Sequence, residues 1–265
     1  MGLKNVLTVT VDNASSNDIA IQHLQKVFNH WECSVLKGEF LHMRCAAHIL
    51  NLVVKDGLTT LSLPIKKIRA LVKYVRSSPA RLQKFLVCVE EEKIESKSLV
   101  CLDVGTRWNS TYLMLESAVK FKKAFSNLLL KDSSCEKEIR KCVGGLIHED
   151  DWIDVTSLLP FLKIFYEATL RFSGSRYVTS NAYVHEIFGI GTVTNSYTMH
   201  DDISISSMAL NMKQKYMKYW GDVLRLNQFL LLLWFLTQEE NGNILSGLLK
   251  KSLLTRVSSK LQIRT

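Results

Sequence analysis

At 265 residues, 47% of them hydrophobic, the chain has material for one large packed domain or two small ones. Only three Pro and twelve Gly, with charges interspersed, exclude wholesale disorder, and the one strongly apolar run, Phe229 to Leu236, is far short of the roughly 20 residues that cross a bilayer. The formal charge of +9 points only weakly to an anionic partner, because +4 of it falls in the last 42 residues.

The opening MGLKNVLTVTVDN has neither the basic nor the long apolar region of a signal peptide, and six scattered cysteines form no disulfide framework. The expectation is a soluble intracellular protein. Val6 to Val11, rich in β-branched residues, predicts a strand. Ser15, Ser16 and Asn17 are N-cap candidates, and Ile19, Leu24, Val27, Phe28 and Trp31 follow at helical spacing. Phe40 to Arg44 predicts a second strand, parallel to the first through a right-handed crossover. AAHILNLVVKDGL then predicts a helix stopped at Gly57.

From there the pattern is helical. LPIKKIRALVKYVRSS places Ile65, Ile68, Leu71, Val72 and Val75 on an apolar stripe and Lys66, Lys67, Arg69, Lys73 and Arg76 around the rest. PARLQKFLVCVEEEK begins with Pro79 in a first helical turn. Val100 to Asn109 breaks the pattern, and helices resume at STYLMLESAVKFKKAFSNLLL and DDWIDVTSLLPFLKIFYEATLRFSG. A polar, Ser/Thr-rich connection leads to a last helix, SSMALNMKQKYMKYWGDV.

Three places could carry chemistry. Asp12 ends the first strand, where a carboxylate in an α/β layer faces ligands; equally, Asp12-Asn13 could simply turn the chain and cap the next helix. Cys45 and His48 lie one helical turn apart, two ligands short of a structural zinc site, so packing is the competing reading and no metal is assigned. Arg107-Trp108 could pair a phosphate contact with a stacking platform, or Trp108 could plug a helix junction.

TVDNASSND, RCAAHILNLVVKDGL and DVGTRWNSTYLML, in that order, resemble transposases of the hAT superfamily, and in particular plant domesticated zinc-finger BED proteins of the RICESLEEPER and DAYSLEEPER type. PFLKIFYEATLRFSGSRYVTSN and MKQKYMKYWGDV extend the resemblance to about Val223. It implies an RNase H-like core with a helical insertion, three acids holding Mg²⁺, and DNA strand cleavage in the nucleus. Asp12 matches the second acid, Cys45 and His48 match a signature beside the active site, and Trp108, next to Arg107, matches a tryptophan associated with hairpin DNA ends. The implied fold is α/β plus all-α: a partial RNase H-like core, late strands and helices only, over 1–60, then a helical hAT-type region over 61–223.

Departures from the family pattern shape the functional expectation. The first acid, the third acid, the BED finger and the dimerisation region have no match here, and one carboxylate of three cannot organise two-metal chemistry. The tail, 224–265, reads as out of frame: WFLTQEENGNIL, back-translated and read with the last base of each codon leading, yields VLDPRRKWKYP, close to a family segment. The expectation is a truncated, domesticated, catalytically incompetent protein that binds DNA weakly, has no resident cofactor, and keeps Asp12 as a vestige. The rival is a helical protein-interaction module that does not bind DNA.

Overall fold

The computed structural model describes residues 5–96, 98–174 and 180–221, so the anticipated aberrant tail lies outside the described residues. The chain runs β1 (Val9–Val11), α1 (Ser15–His30), a 3-10 turn (Val35–Gly38), β2 (His42–Arg44), α2 (Ala46–Leu58), α3 (Ser62–Arg76) and α4 (Pro79–Glu91). It continues through α5 (Trp108–Lys120), α6 (Lys122–Lys131), α7 (Ser133–Val143), α8 (Glu149–Phe172), α9 (Ser180–Tyr197) and α10 (Ile203–Trp220). The described residues are thus mostly helical, with one small parallel strand pair in which Val9, Thr10 and Val11 face His42, Met43 and Arg44. The strands are shorter than anticipated. Val6 lies outside β1 and bridges Ser34 instead.

Two compact units are present, and they interleave along the chain instead of following one another. The first holds the described residues up to Leu50 together with 168–174, 180–193 and 214–221; the second holds the described residues of 51–167 and 194–213. A boundary near residue 60 would therefore fall inside the second unit.

In the first unit, Ile21 and Phe28 of α1 close with Cys33 and Leu41 on the strand pair, joined by the half-buried Val6, Val9, Val11, Leu24 and Val27. The three-to-four spacing of Ile21, Leu24, Val27 and Phe28 explains why α1 turns one side to the strands. Here α9 meets the end of α10 closely: a Cβ on Gly191 would stand 2.5 Å from the Tyr216 hydroxyl, which donates to Ile187 O at 3.0 Å.

The second unit is a helical bundle whose α3 packs on α4, α5 and α7. Ile65, Ile68, Leu71, Val72 and Val75 are buried, as the apolar stripe predicted. Phe85 lies between Phe121 and Phe125, with ring centroids 5.8 and 4.7 Å away, and Trp152 stacks on Phe125 at 6.1 Å. Helix ends follow local chemistry. Ser78 caps α4 by accepting from Arg81 N–H with Pro79 behind it, Asp132 caps α7, and Gly144 at φ 75° closes α7 in the left-handed region. Pro160 sits inside α8 without ending it, because Pro160 and Thr156, whose carbonyl loses its donor, are both exposed to water.

Three readings of the sequence are corrected. Gly57 does not stop α2; it lies inside the helix, where a Cβ would stand 2.3 Å from Met212 Cγ, so its small size permits α2 and α10 to touch. The polar connection after α8 contains an 18-residue helix, α9, whose two glycines and β-branched residues gave no clear amphipathic stripe. The helix anticipated over 110–130 also divides at Phe121 into α5 and α6.

Candidate nucleic-acid interface

In the first unit the parallel pairing sets Asp12 just after β1 and Cys45 just after β2, with Cys45 N–H donating to Val11 O at 2.8 Å. Asp12 and the Cys45–His48 turn thus share the carboxyl end of the strand pair. Asp12 Oδ1 accepts the Ala14 N–H at 2.9 Å and the Asn17 side-chain amide at 2.5 Å, an Asx turn leading into α1, whose N-cap residue is Ala14. The neighbouring Asp18 leans toward His42 Nδ1 at 3.8 Å and Arg44 at 3.9 Å. Burial, and secondarily Arg44, push the His42 imidazole below its ordinary range, with Asp18 opposing. Sequence reasoning missed Asn13, whose carboxamide nitrogen and oxygen are both shut off from solvent without a partner among the described residues.

Metal binding finds no support in these geometries. One oxygen of Asp12 is committed to the turn into α1, and among the described residues no three His, Cys, Asp or Glu side chains are arranged to hold an ion. Mg²⁺ is held by carboxylates acting together with water and phosphate oxygens, so the described residues do not fit the ion that the family resemblance implies.

The second unit contains a cleft of about 330 Å³ lined by residues that include Lys55, Ser62, Lys66, Arg69, Gly105 and Trp108. Its rim is the loop between α4 and α5, and three long-range bonds fix that loop. Asp103, its carboxylate 1% exposed, accepts from Arg69 Nε at 2.6 Å and from Thr111 Oγ1 at 3.0 Å. Lys55 Nζ donates to Thr106 O at 3.0 Å, and Asn51 Oδ1 accepts the Trp108 backbone N–H at 3.2 Å. Ser110 Oγ accepts from Val104 N–H and lies within 2.9 Å of Arg107 O, Val104 O and Asp103 Oδ1; its one proton can serve one of these at a time.

Arg107 is exposed just before α5. Trp108, the first residue of α5, is 2% exposed, and its indole Nε1–H has no hydrogen-bond partner among the described residues. Its ring lies 6.5 Å from Tyr112, which stacks on Tyr166 at 4.9 Å. The cations of α3 do not share one role. Lys67 is buried against Asp151 at 2.7 Å and Arg69 is held by Asp103, whereas Lys66, Lys73 and Arg76 are exposed.

Residues 43–160 match the family described as the ZBED1 RNase-like helical domain. Over 82% of its length the chain is 35% identical to a putative AC transposase of Zea mays and 34% identical to zinc finger BED domain-containing protein RICESLEEPER 2 of Oryza sativa subsp. japonica. It is 28% identical over 83% of its length to zinc finger BED domain-containing protein DAYSLEEPER of Arabidopsis thaliana. These matches span 26%, 29% and 31% of the respective relatives, so the chain corresponds to about a quarter to a third of each. The chain is a homologue of the plant hAT-type transposases and of their domesticated BED-finger relatives of the RICESLEEPER and DAYSLEEPER kind.

Proposed function

We propose that the chain is a hAT-transposase-derived DNA-binding protein of the nucleus that does not itself cut DNA. Its first unit is read as part of an RNase H-like core, with Asp12 a vestigial second acid now holding the turn into α1. The observation that carries the DNA reading is the cleft beside Trp108. Lys55 and Lys66 line it, Arg107 stands exposed at its loop, and the indole N–H is a buried donor without a partner among the described residues. Such a site supplies cationic contacts to phosphate, and the buried indole donor serves only a ligand that displaces the packing over it. The relatives named as transposases and as BED zinc finger proteins support the same class of ligand.

The burial of Trp108 favours a second reading, in which the ring is purely a packing residue. Trp108→Phe separates the two, since it keeps an aromatic ring and removes the donor. On the DNA reading this variant binds a hairpin end about tenfold more weakly, the scale of one lost hydrogen bond to a charged group, in addition to the stability lost with the larger ring. Unchanged hairpin affinity alongside a lowered melting temperature establishes the packing role instead.

A further inference from the structure

We propose that the exposed edge of α3, carrying Lys66, Lys73 and Arg76, is a track for the phosphate backbone of duplex DNA that continues from the cleft past Trp108; this rests on the DNA-binding reading above. At 3.6 residues per turn, positions 66, 69, 73 and 76 fall within an arc of about 80°, opposite the buried Ile68, Leu71 and Val75. From Lys66 to Arg76 the helix advances about 15 Å, a length over which one DNA strand presents roughly four phosphates.

Ion pairing sorts these cations. Arg69 is neutralised by Asp103, while Lys66, Lys73 and Arg76 form no ion pair with any described residue. Ser62, Ala70 and Ser77, the other residues on this edge, are small, so a backbone can approach closely. Leu63, half exposed, lies about 60° beyond Lys66, so the arc offers neither the apolar anchor of a protein interface nor an exposed ring on which a single-stranded base could stack. Spaced cations on a bare, small-residue edge suit a duplex backbone, which is recognised by charge and needs no such anchor.

The test is a salt titration of fluorescent duplex DNA against the full chain. Lys66→Gln, Lys73→Gln and Arg76→Gln together should flatten the slope of log affinity on log salt by about 2.5–3, at about 0.9 per lost phosphate contact. Removing three charges elsewhere, at the exposed Lys123, Lys137 and Lys141, should flatten it by less than about 1. All six positions are exposed and Gln is a good helix former, so the variants should melt like the parent. An unchanged slope in the first triple variant, with duplex still bound by the parent, overturns the track and leaves the DNA reading standing. No duplex binding by the parent overturns both. Binding of poly-glutamate that depends on these three residues, without duplex binding, overturns the track in favour of an acidic protein segment.

Discussion

The Arg69 guanidinium closes on a carboxylate, that of Asp103, which is 1% exposed, while Arg69 itself keeps 30% of its side chain in contact with water. The two halves of the pair are therefore unequal. Asp103 depends on Arg69 to offset its removal from solvent, whereas Arg69 can still reach water alone.

This asymmetry makes a first prediction. Arg69→Ala strands a buried charge and should cost about 3 kcal/mol of unfolding free energy, whereas Asp103→Ala should cost about 1–2 kcal/mol through its lost hydrogen bonds to Ser110 and Thr111. Urea denaturation of both single variants and the double variant measures the order and the coupling. Equal costs would mean that Asp103 is solvated in solution.

The contact between Gly57 and Met212 makes a second. Gly57→Ala places a methyl group against Met212 Cγ and should destabilise by about 1–3 kcal/mol, although alanine favours helix. Met212→Ala in the same chain should recover part of that loss by opening space for the methyl. Thermal melts of the two singles and the double show whether the effects couple. Additive losses would remove this contact as the reason for a glycine at position 57.

Acid titration supplies the third. Burial, with Asp202, Asp151 and Asp150 nearby, raises the Asp154 carboxyl above its ordinary 3.8. A carboxylate with a raised folded pKa makes the fold lose stability as pH rises from the unfolded value through the folded one, because the folded state binds the proton more tightly. At neutral pH the charge at Asp154 is thus a net cost. Asp154→Asn should raise the melting temperature at pH 7 by about 1–3 °C, with the gain fading below pH 4 where both states are protonated. A gain that persists unchanged at low pH would assign it to something other than the charge.

The strand–helix–strand–helix opening was legible in the sequence because β-branched runs and helical spacing are local signals. The buried stripe of α3 was legible for the same reason. What escaped was non-local. Nothing near Lys67 distinguishes it from Lys66, yet Asp151, 84 residues away, pulls one inward while the other stays in water. Gly57 resembled a helix stop until Met212 supplied the reason for its size. The Arg107-Trp108 pair left stacking and packing open; the burial of Trp108 follows from a loop anchored by residues 34 to 57 positions upstream. α9 escaped because its glycines and β-branched residues are weak helix formers, so its helicity comes from packing such as the Gly191–Tyr216 contact.

The three anchors of the loop between α4 and α5 also have a kinetic meaning. Asn51, Lys55 and Arg69 belong to helices already synthesised when Asp103, Thr106 and Trp108 emerge, and each bond closes a long excursion of chain. Closing such excursions costs entropy that local helix formation does not, so α2 and α3 form early and the loop docks on them late. The cleft is accordingly completed only after α2 and α3 are in place. A cotranslational pause or protease acting before residue 111 would meet a chain with its cationic helix made and its cleft not yet built.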